Sequence, residues 1–167
     1  PMNQDELDRA ALAIGQANLL IQVDGEAVDG WLLKGQIYAA LGQADRAAKY
    51  LQDALLRDPD HAMTHVRLAL VEWREAGGAM ADPEGDGVAE AMRLLERAAS
   101  LEPGAGGEKW ARLWLGVIQM ETLGDVEACL ESFGRALEID PRFHLALLNM
   151  ATLHDYLDDG PEVYLTL

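Results

Sequence analysis

The stretch WLLKGQIYAALGQADRAAKYLQDALLRDP, residues 31–59, decides the fold of this chain. Its apolar residues recur with helical spacing on both sides of a glycine, which predicts two helices near 28–41 and 44–57. The pattern consists of Trp31, Gly35, Tyr38, Gly42, Ala47, Leu51, Ala54 and Pro59. Its small residues let the two helices approach closely, and its bulky residues fill the space between neighbouring hairpins. Pro59 ends the second helix, so we interpret the stretch as one helical hairpin.

The second half of this pattern occurs twice more along the chain. The matching residues are Ala91, Leu95, Ala98 and Pro103, and then Cys129, Phe133, Ala136 and Pro141. The pattern resembles the tetratricopeptide repeat (TPR), a helix–turn–helix unit of about 34 residues. The resemblance implies an all-α fold, a right-handed TPR solenoid of about three helix-turn-helix repeats with an N-terminal helix and a C-terminal capping helix.

We predict a single TPR domain over residues 1–167. Its segments are an N-terminal helix at 4–23, repeat 1 at 28–61, repeat 2 at 62–105, repeat 3 at 108–142, a capping helix at 143–157 and a tail at 158–167. Repeat 2 is longer than one unit because it contains an inserted loop, GGAMADPEGDG at 77–87. The glycine and proline content of this loop predicts no regular structure, with the next helix near 88–101.

The first helix of repeat 3, near 108–123, allows two registers. Taking Gly124 as the turn glycine fills the apolar slots of the repeat with Leu113, Val117 and Met120. Taking Leu115 and Gly116 as the characteristic Leu-Gly pair of the repeat shifts every slot by one residue. We adopt the first register.

The resemblance implies a concave groove lined by the first helix of each repeat, which we call the front helices. The groove-facing slots hold Leu32, Leu33, Gln36, Val66, Arg67, Leu70, Trp73, Arg74, Trp114, Leu115, Ile118, Leu148, Asn149, Thr152 and Tyr156. So many large apolar residues on one exposed face predict a binding site, and Trp, Tyr and Arg are enriched in binding hot spots. Alternatively, the N-terminal helix, the inserted loop or the tail covers this face.

Two arginines and one absent motif bear on the ligand. Some TPR proteins hold a C-terminal carboxylate with paired Lys and Asn side chains on successive front helices. The matching slots here hold Leu32, Gln36, Val66 and Leu70, so that clamp is missing. Arg67 and Arg74 share one helix face and can grip a carboxylate or peptide carbonyls, or else pair internally. The internal candidates are Glu72, Glu75 and Glu102.

The charge balance narrows the class of partner. The chain has 13 basic and 29 acidic residues, a net charge of −16, which argues against nucleic acid and anionic membranes. We therefore expect a protein or peptide partner with apolar or basic character. No apolar run approaches a membrane span and no signal peptide is evident, so we expect a soluble protein, cytoplasmic or periplasmic, without direct membrane insertion.

No residue pattern predicts a catalytic, metal or cofactor site. The acidic loop residues Asp82, Glu84 and Asp86 resemble the start of a calcium loop, but Arg93 stands where its bidentate glutamate belongs. His61 and His65 have the spacing of two metal ligands without an evident third. The single Cys129 occupies a small-residue slot and is expected to be buried packing. We therefore predict a protein that is not an enzyme and uses no cofactor.

Three functions agree with these features. The first is a non-catalytic protein-protein interaction module that binds a peptide or amphipathic helix in its concave groove. The second is a periplasmic assembly factor, since one standard repeat followed by an expanded one resembles the TPR domain of cytochrome c maturation proteins. The third is a self-assembling structural scaffold, since the face at 147–153 and the apolar tail have no evident partner within the chain. In this homo-oligomer the tail of one copy would occupy the groove of another.

Overall fold

The computed structural model describes residues 4–101 and 106–159, apart from the side chains at 156, 158 and 159, and this part of the chain is all-α. Its eight α-helices are α1 (Gln4–Val23), α2 (Val28–Ala40), α3 (Ala44–Arg57), α4 (Ala62–Glu75), α5 (Asp86–Leu101), α6 (Gly106–Ile118), α7 (Val126–Ile139) and α8 (His144–Asp159). Each helix packs against the next, and the front helices α2, α4, α6 and α8 also contact one another in that order. This arrangement is a TPR solenoid, as the repeated pattern predicted. None of these helices is long and apolar enough to cross a membrane.

The hairpin α2–α3 shows why the opening stretch folds as it does. A Cβ added at Gly35 would lie 2.6 Å from Cγ of Leu51, so only glycine permits this close approach. Ala47, Leu51 and Ala54 are fully buried along α3. Small residues therefore set the distance between the two helices, and Leu51 fills the space that remains.

A row of aromatic and cationic side chains runs along the same hairpin. The ring of Tyr50 stacks on Tyr38 with centroids 5.3 Å apart and lies 6.3 Å from the ring of Trp31. The ammonium of Lys34 lies 4.1 Å from the Tyr50 centroid, and the guanidinium of Arg57 lies 3.8 Å from that of Trp31. This cation–π contact gives the charge of the half-buried Lys34 a favourable partner.

The register adopted for the first helix of repeat 3 is wrong for its first half. Gly116, not Val117, occupies the position at which α6 closely approaches α7, because a Cβ at Gly116 would lie 2.6 Å from Cδ1 of Phe133. The turn glycine is nevertheless Gly124, at φ 65°. A π-helical turn at Gln119–Leu123 absorbs the difference, since π geometry takes in one extra residue. Both registers therefore exist, one on each side of this π turn.

The inserted loop 77–87 is more ordered than its composition predicted. It contains a 3₁₀ turn, Gly78–Met80, and α5 already begins at Asp86. The hydroxyl of Thr122, in the π turn, donates to the carbonyl of Gly78 at 3.1 Å, and Ala81 is buried. The loop is thus attached to the end of the next front helix.

The first and last helices differ from the others in how much apolar surface they expose. On α1, Leu12, Leu19 and Val23 are exposed while Ala17 is fully buried against α2. On α8, Leu153 is buried at 1% exposure, whereas Leu147 remains 47% exposed. The face expected at 147–153 is therefore split between core and surface.

Candidate functional site

A cleft of about 190 Å³ opens where α2, α4 and α6 meet. Its lining is Gln36, Ala39, Ala40, Leu51, Arg67, Leu70, Val71, Arg74 and Trp114. Three successive front helices contribute to it, as the predicted groove would require. The predicted groove residues that meet here are Gln36, Arg67, Leu70, Arg74 and Trp114.

Other predicted groove residues lie in the core instead of on the exposed face. Val66, Leu115 and Ile118 are all at most 3% exposed. They belong to the hydrophobic core, and the register shift before the π turn explains why Leu115 and Ile118 turn inward. These side chains shape the groove and give a ligand little surface to touch.

Trp73 is also a core residue, contrary to the expectation that it lies open in the groove. It is 6% exposed, and its indole Nε1 donates to Oγ1 of Thr122 at 2.9 Å. Its ring lies 6.4 Å from the ring of Trp114, which is only partly buried and faces the cleft. Of the two tryptophans, Trp114 is the one a ligand can reach.

The remaining predicted residues lie outside the cleft. Leu32 and Leu33 are half-buried on α2, and Leu148 is 64% exposed on α8. Asn149 Nδ2 donates to the Leu145 carbonyl at 2.8 Å within the same helix. Thr152 likewise donates to the Leu148 carbonyl at 3.0 Å. The side chain of Tyr156 lies outside the described part of the chain.

Arg67 gives the cleft its unusual electrostatics. It is half-buried, and its Nε is enclosed without a hydrogen-bond acceptor. Burial, and then the neighbouring charge of Arg74, lower the pKa of Arg67 from its ordinary value. Within residues 4–101 and 106–159, no carboxylate pairs with Arg67 or with the exposed Arg74.

The glutamates considered as internal partners do not neutralise this pair. Burial raises the pKa of Glu72, and the nearby carboxylates of Glu90 and Glu75 raise it further, with no arginine opposing them. Glu102 lies outside the described residues. Among the described residues, neither Glu72 nor Glu75 forms an ion pair with Arg67 or Arg74.

The cleft continues past Arg74 toward the turn between α2 and α3. A second cavity of about 180 Å³ shares Ala39, Val71 and Arg74 with the first. Its remaining lining is Gly42, Ala44 and Glu75. The two cavities therefore form an elongated groove with Arg74 between them. The sequence analysis did not assign Ala39 and Ala40 of α2 to the groove. Two small residues at the end of a front helix leave space beside it, and this feature could have indicated the cleft.

The residues considered for metal binding or catalysis have structural roles. His61 is the N-cap of α4, where its Nδ1 accepts from the Thr64 amide, and His65 Nε2 lies 2.8 Å from the Pro59 carbonyl. Cys129 is fully buried, and burial together with Asp125 raises the pKa of its thiol, so it is not a poised nucleophile. Within the described residues, no three His, Cys, Asp or Glu side chains are grouped to hold a metal ion.

Comparison with known proteins agrees with the helical hairpins. Tetratricopeptide repeat models match residues 28–71 and 111–143. The structure is similar to that of a thermophilic TPR protein of Thermus thermophilus, with a TM-score of 0.70 and 20% identity over 90% of this chain and 75% of that one. It is also similar to the crystal structure of MamA, with a TM-score of 0.65 and 20% identity over 96% of this chain and 86% of that one. Likeness at this level of identity shows the fold.

Among curated proteins, the chain is similar to the CTR9 homolog of Arabidopsis thaliana, with 24% identity over 139 residues. That match covers 83% of this chain but 12% of the relative, so the chain spans a small part of the relative's length. The two repeat matches, on a structure of stacked helical hairpins, show that the chain is built from tetratricopeptide repeats.

Proposed function

We propose that this TPR domain binds a peptide or amphipathic helix of a partner protein in the groove between α2, α4 and α6, as a non-catalytic module. TPR domains generally act as protein-interaction modules, and the groove supplies the specific surface. The observation that carries the proposal is the cleft itself, because three successive repeats contribute an apolar floor and a polar rim to it.

The composition of the cleft supports recognition of a polypeptide. Leu70, Val71 and the reachable ring of Trp114 provide the apolar floor, and Gln36 and Arg67 provide polar groups beside it. Interfaces usually combine an apolar centre with a polar rim, and Trp and Arg are common anchors in them. Alternating apolar and polar side chains of a peptide would match this arrangement.

The size of the cleft supports the same conclusion. Small-molecule sites usually have volumes of about 300–1,000 Å³. Each of the two connected cavities is smaller, at about 190 and 180 Å³, and both open to solvent along the helices. Spaces of this size suit single side chains of a longer ligand better than a whole metabolite.

The net charge of −16 favours basic residues on either side of the bound segment. Such charges act at a distance, so they raise the rate of encounter more than they hold the bound state. Binding should therefore weaken moderately as salt rises, because the Debye length falls from about 10 Å at 0.1 M to about 3 Å at 1 M ionic strength.

Blocking the cleft tests the proposal. Peptides would be selected from a randomised phage-displayed library on the wild-type domain, and their affinities measured by fluorescence anisotropy. Ala40→Trp fills the cleft from an exposed position at the end of α2. We expect it to weaken binding by about tenfold or more, since one lost apolar anchor is worth more than about 1.4 kcal/mol.

Ala89→Trp is the matched control, because Ala89 is an exposed alanine of α5 that does not line the cleft. It should leave the affinities unchanged, and both variants should retain the far-UV circular dichroism of the wild type. Equal affinities for the two variants would show that selected peptides bind elsewhere and would refute the groove.

Self-association is a second candidate function, supported by the exposed apolar side chains of the outer helices. Leu12, Leu19 and Val23 of α1 and Leu148 of α8 are all well exposed. Pairing of these faces in a second copy would bury them. Light scattering across a concentration series tests this, and a constant monomer mass at the highest concentration would exclude it. The resemblance to cytochrome c maturation proteins rests on the general repeat layout and on short stretches such as LLERAASLEP at 94–103, and it stays a prediction.

A further inference from the structure

We infer that the bound partner segment carries an internal acidic side chain, Asp or Glu, which enters the cleft and pairs with Arg67 and Arg74. This inference rests on the proposed function and adds the chemistry of the ligand to it. The rest of the recognition element is an apolar side chain next to the acid, which contacts Trp114 and the floor formed by Leu70 and Val71.

The first step is that the Nε atom of the half-buried Arg67 is enclosed without an acceptor among the described residues. A buried guanidinium group is normally paired or hydrogen-bonded, because removing its charge from water is costly. The enclosed Nε of Arg67 has no acceptor, and within the described part of the chain no carboxylate completes the pair. A ligand that brings an acceptor would therefore remove a cost that the free domain carries.

Two other partly buried arginines have partners that Arg67 lacks. The Nε of Arg112 also makes no hydrogen bond, but it lies 3.5 Å from a carboxylate oxygen of Glu108. Arg57 donates to the carbonyls of Gly25 and Asp53, each at 2.6 Å, and lies over the ring of Trp31. Arg57 thus has acceptors and an aromatic partner within the chain. Among the described residues Arg67 has neither, although it lines a cavity that a ligand can enter.

The ligand group that fits two neighbouring guanidinium groups is a carboxylate. Arg67 and Arg74 are two helical turns apart on α4 and line the same cleft. Each guanidinium presents several donors in a fixed fork, and a carboxylate accepts from such forks through two oxygens. A carboxylate also balances the repulsion between the two arginines, which a neutral carbonyl does only in part.

The position of the arginines favours an internal residue over a chain end. They lie on α4, which contacts the front helices α2 and α6 on either side. Beyond Arg74 the groove continues into the second cavity toward Gly42 and Ala44. A segment that fills this elongated groove would have chain on both sides of the residue that meets the arginines.

The charge of the whole domain limits how acidic this ligand is. With a net charge of −16, the domain repels a highly acidic segment before it reaches the cleft. Contact between the acid and the arginines is short-range and partly shielded from solvent, so it survives salt better than the long-range repulsion. We therefore assign one acid within an otherwise apolar or basic segment.

Two phage-displayed libraries test the inference. In one, randomised peptides are fused through their C-terminus and offer only side-chain carboxylates, and in the other they end in a free C-terminus. The best peptide from the first library would be synthesised with its acid as Glu and as Gln. Affinities of both would be measured on wild type, on Arg67→Gln, and on Arg135→Gln, which alters an exposed arginine on α7.

We expect the peptides from the fused library to share an Asp or Glu beside a large apolar residue. Changing that Glu to Gln should weaken binding to the wild type and to Arg135→Gln by about 10- to 100-fold, the usual range for a hydrogen-bonded charge. On Arg67→Gln the same change in the peptide should weaken binding by about threefold or less. The arginine that pairs with the Glu is then already absent, so the two changes are not additive.

The other outcomes overturn different statements. The internal carboxylate would be overturned if the selected peptides lack an acid or come only from the library with free C-termini. It would also be overturned if changing Glu to Gln in the peptide weakens binding to Arg67→Gln as much as binding to the wild type. If those peptides still lose affinity for Ala40→Trp, the proposed groove stands. If neither library yields a peptide that is sensitive to Ala40→Trp, both the groove and the inference fall.

Discussion

The contact between Gly116 on α6 and Phe133 on α7 gives a sharp prediction for the third hairpin. The ring of Phe133 is fully buried. A Cβ at position 116 would lie 2.6 Å from its Cδ1 and 3.0 Å from its Cζ, whereas ordinary van der Waals contact begins at 3.4 Å. Gly116→Ala therefore forces the ring to retreat by most of an ångström into a packed core.

The expected magnitude follows from two opposing effects. Replacing glycine by alanine in a helix interior stabilises by about 1 kcal/mol. Overpacking of a filled core typically costs about 1–3 kcal/mol, and a fully buried aromatic ring places this case near the upper end. We expect a net loss of about 1–2 kcal/mol in the free energy of unfolding.

Gly134→Ala on α7 is the matched control, because a Cβ there meets nothing within 4 Å. It should raise the free energy of unfolding by about 0.5–1 kcal/mol through helix propensity alone. Urea denaturation followed by circular dichroism measures both variants. If Gly116→Ala is as stable as Gly134→Ala, the close approach and the register derived from it are wrong. A smaller cost of Phe133→Leu in the Gly116→Ala background than in wild type would support the contact.

Three further changes test separate parts of the protein. Trp73→Ala should lower the free energy of unfolding by about 3–5 kcal/mol, as for other buried aromatics, and a urea midpoint equal to that of wild type would contradict its core position. Arg67→Met should raise the free energy of unfolding by about 1 kcal/mol, because it keeps the aliphatic stem and removes the Nε that lacks an acceptor. The control Arg135→Met, at an exposed ion pair, should change the free energy of unfolding by less than about 0.5 kcal/mol in the same titrations. The pKa of Asp140 lies below its ordinary value because Lys109 donates a hydrogen bond to it. The stability that the Asp140 carboxylate contributes is therefore complete above its unfolded-state pKa of about 3.9 and is lost as pH falls through the lower folded-state pKa. Asp140→Asn should abolish this loss when urea denaturation is measured between neutral and acidic pH.

The helices could be predicted from the sequence because local signals define them. Gly42 breaks the pattern between α2 and α3, and Pro59 follows the end of α3, so these helices lie at Val28–Ala40 and Ala44–Arg57, close to the predicted ranges. The small residues at the hairpin contact also identify themselves by spacing. Such features depend on neighbours in the chain and need no knowledge of tertiary packing.

The groove could be predicted only in part because burial depends on more distant neighbours. Trp73 and Trp114 both occupy front helices, and nothing in their spacing tells which one is covered. Trp73 is covered because Thr122 reaches it from the π turn, and one extra residue before Gly124 creates that turn. A single-residue insertion of this kind leaves two plausible registers in the sequence, and only the packing of Gly116 separates them.

The hydrogen-bonded chain from Trp73 through Thr122 to Gly78 has a consequence for how the array unfolds. In repeat proteins, cooperativity is set by the interfaces between neighbouring repeats as much as by the repeats themselves. Here part-buried hydrogen bonds link repeat 2, its inserted loop and repeat 3, so opening any one of the three breaks a contact with another. Amide exchange in α4 and α6 should therefore report a single opening free energy, while α1, which contacts only its neighbour α2 extensively, opens at lower cost.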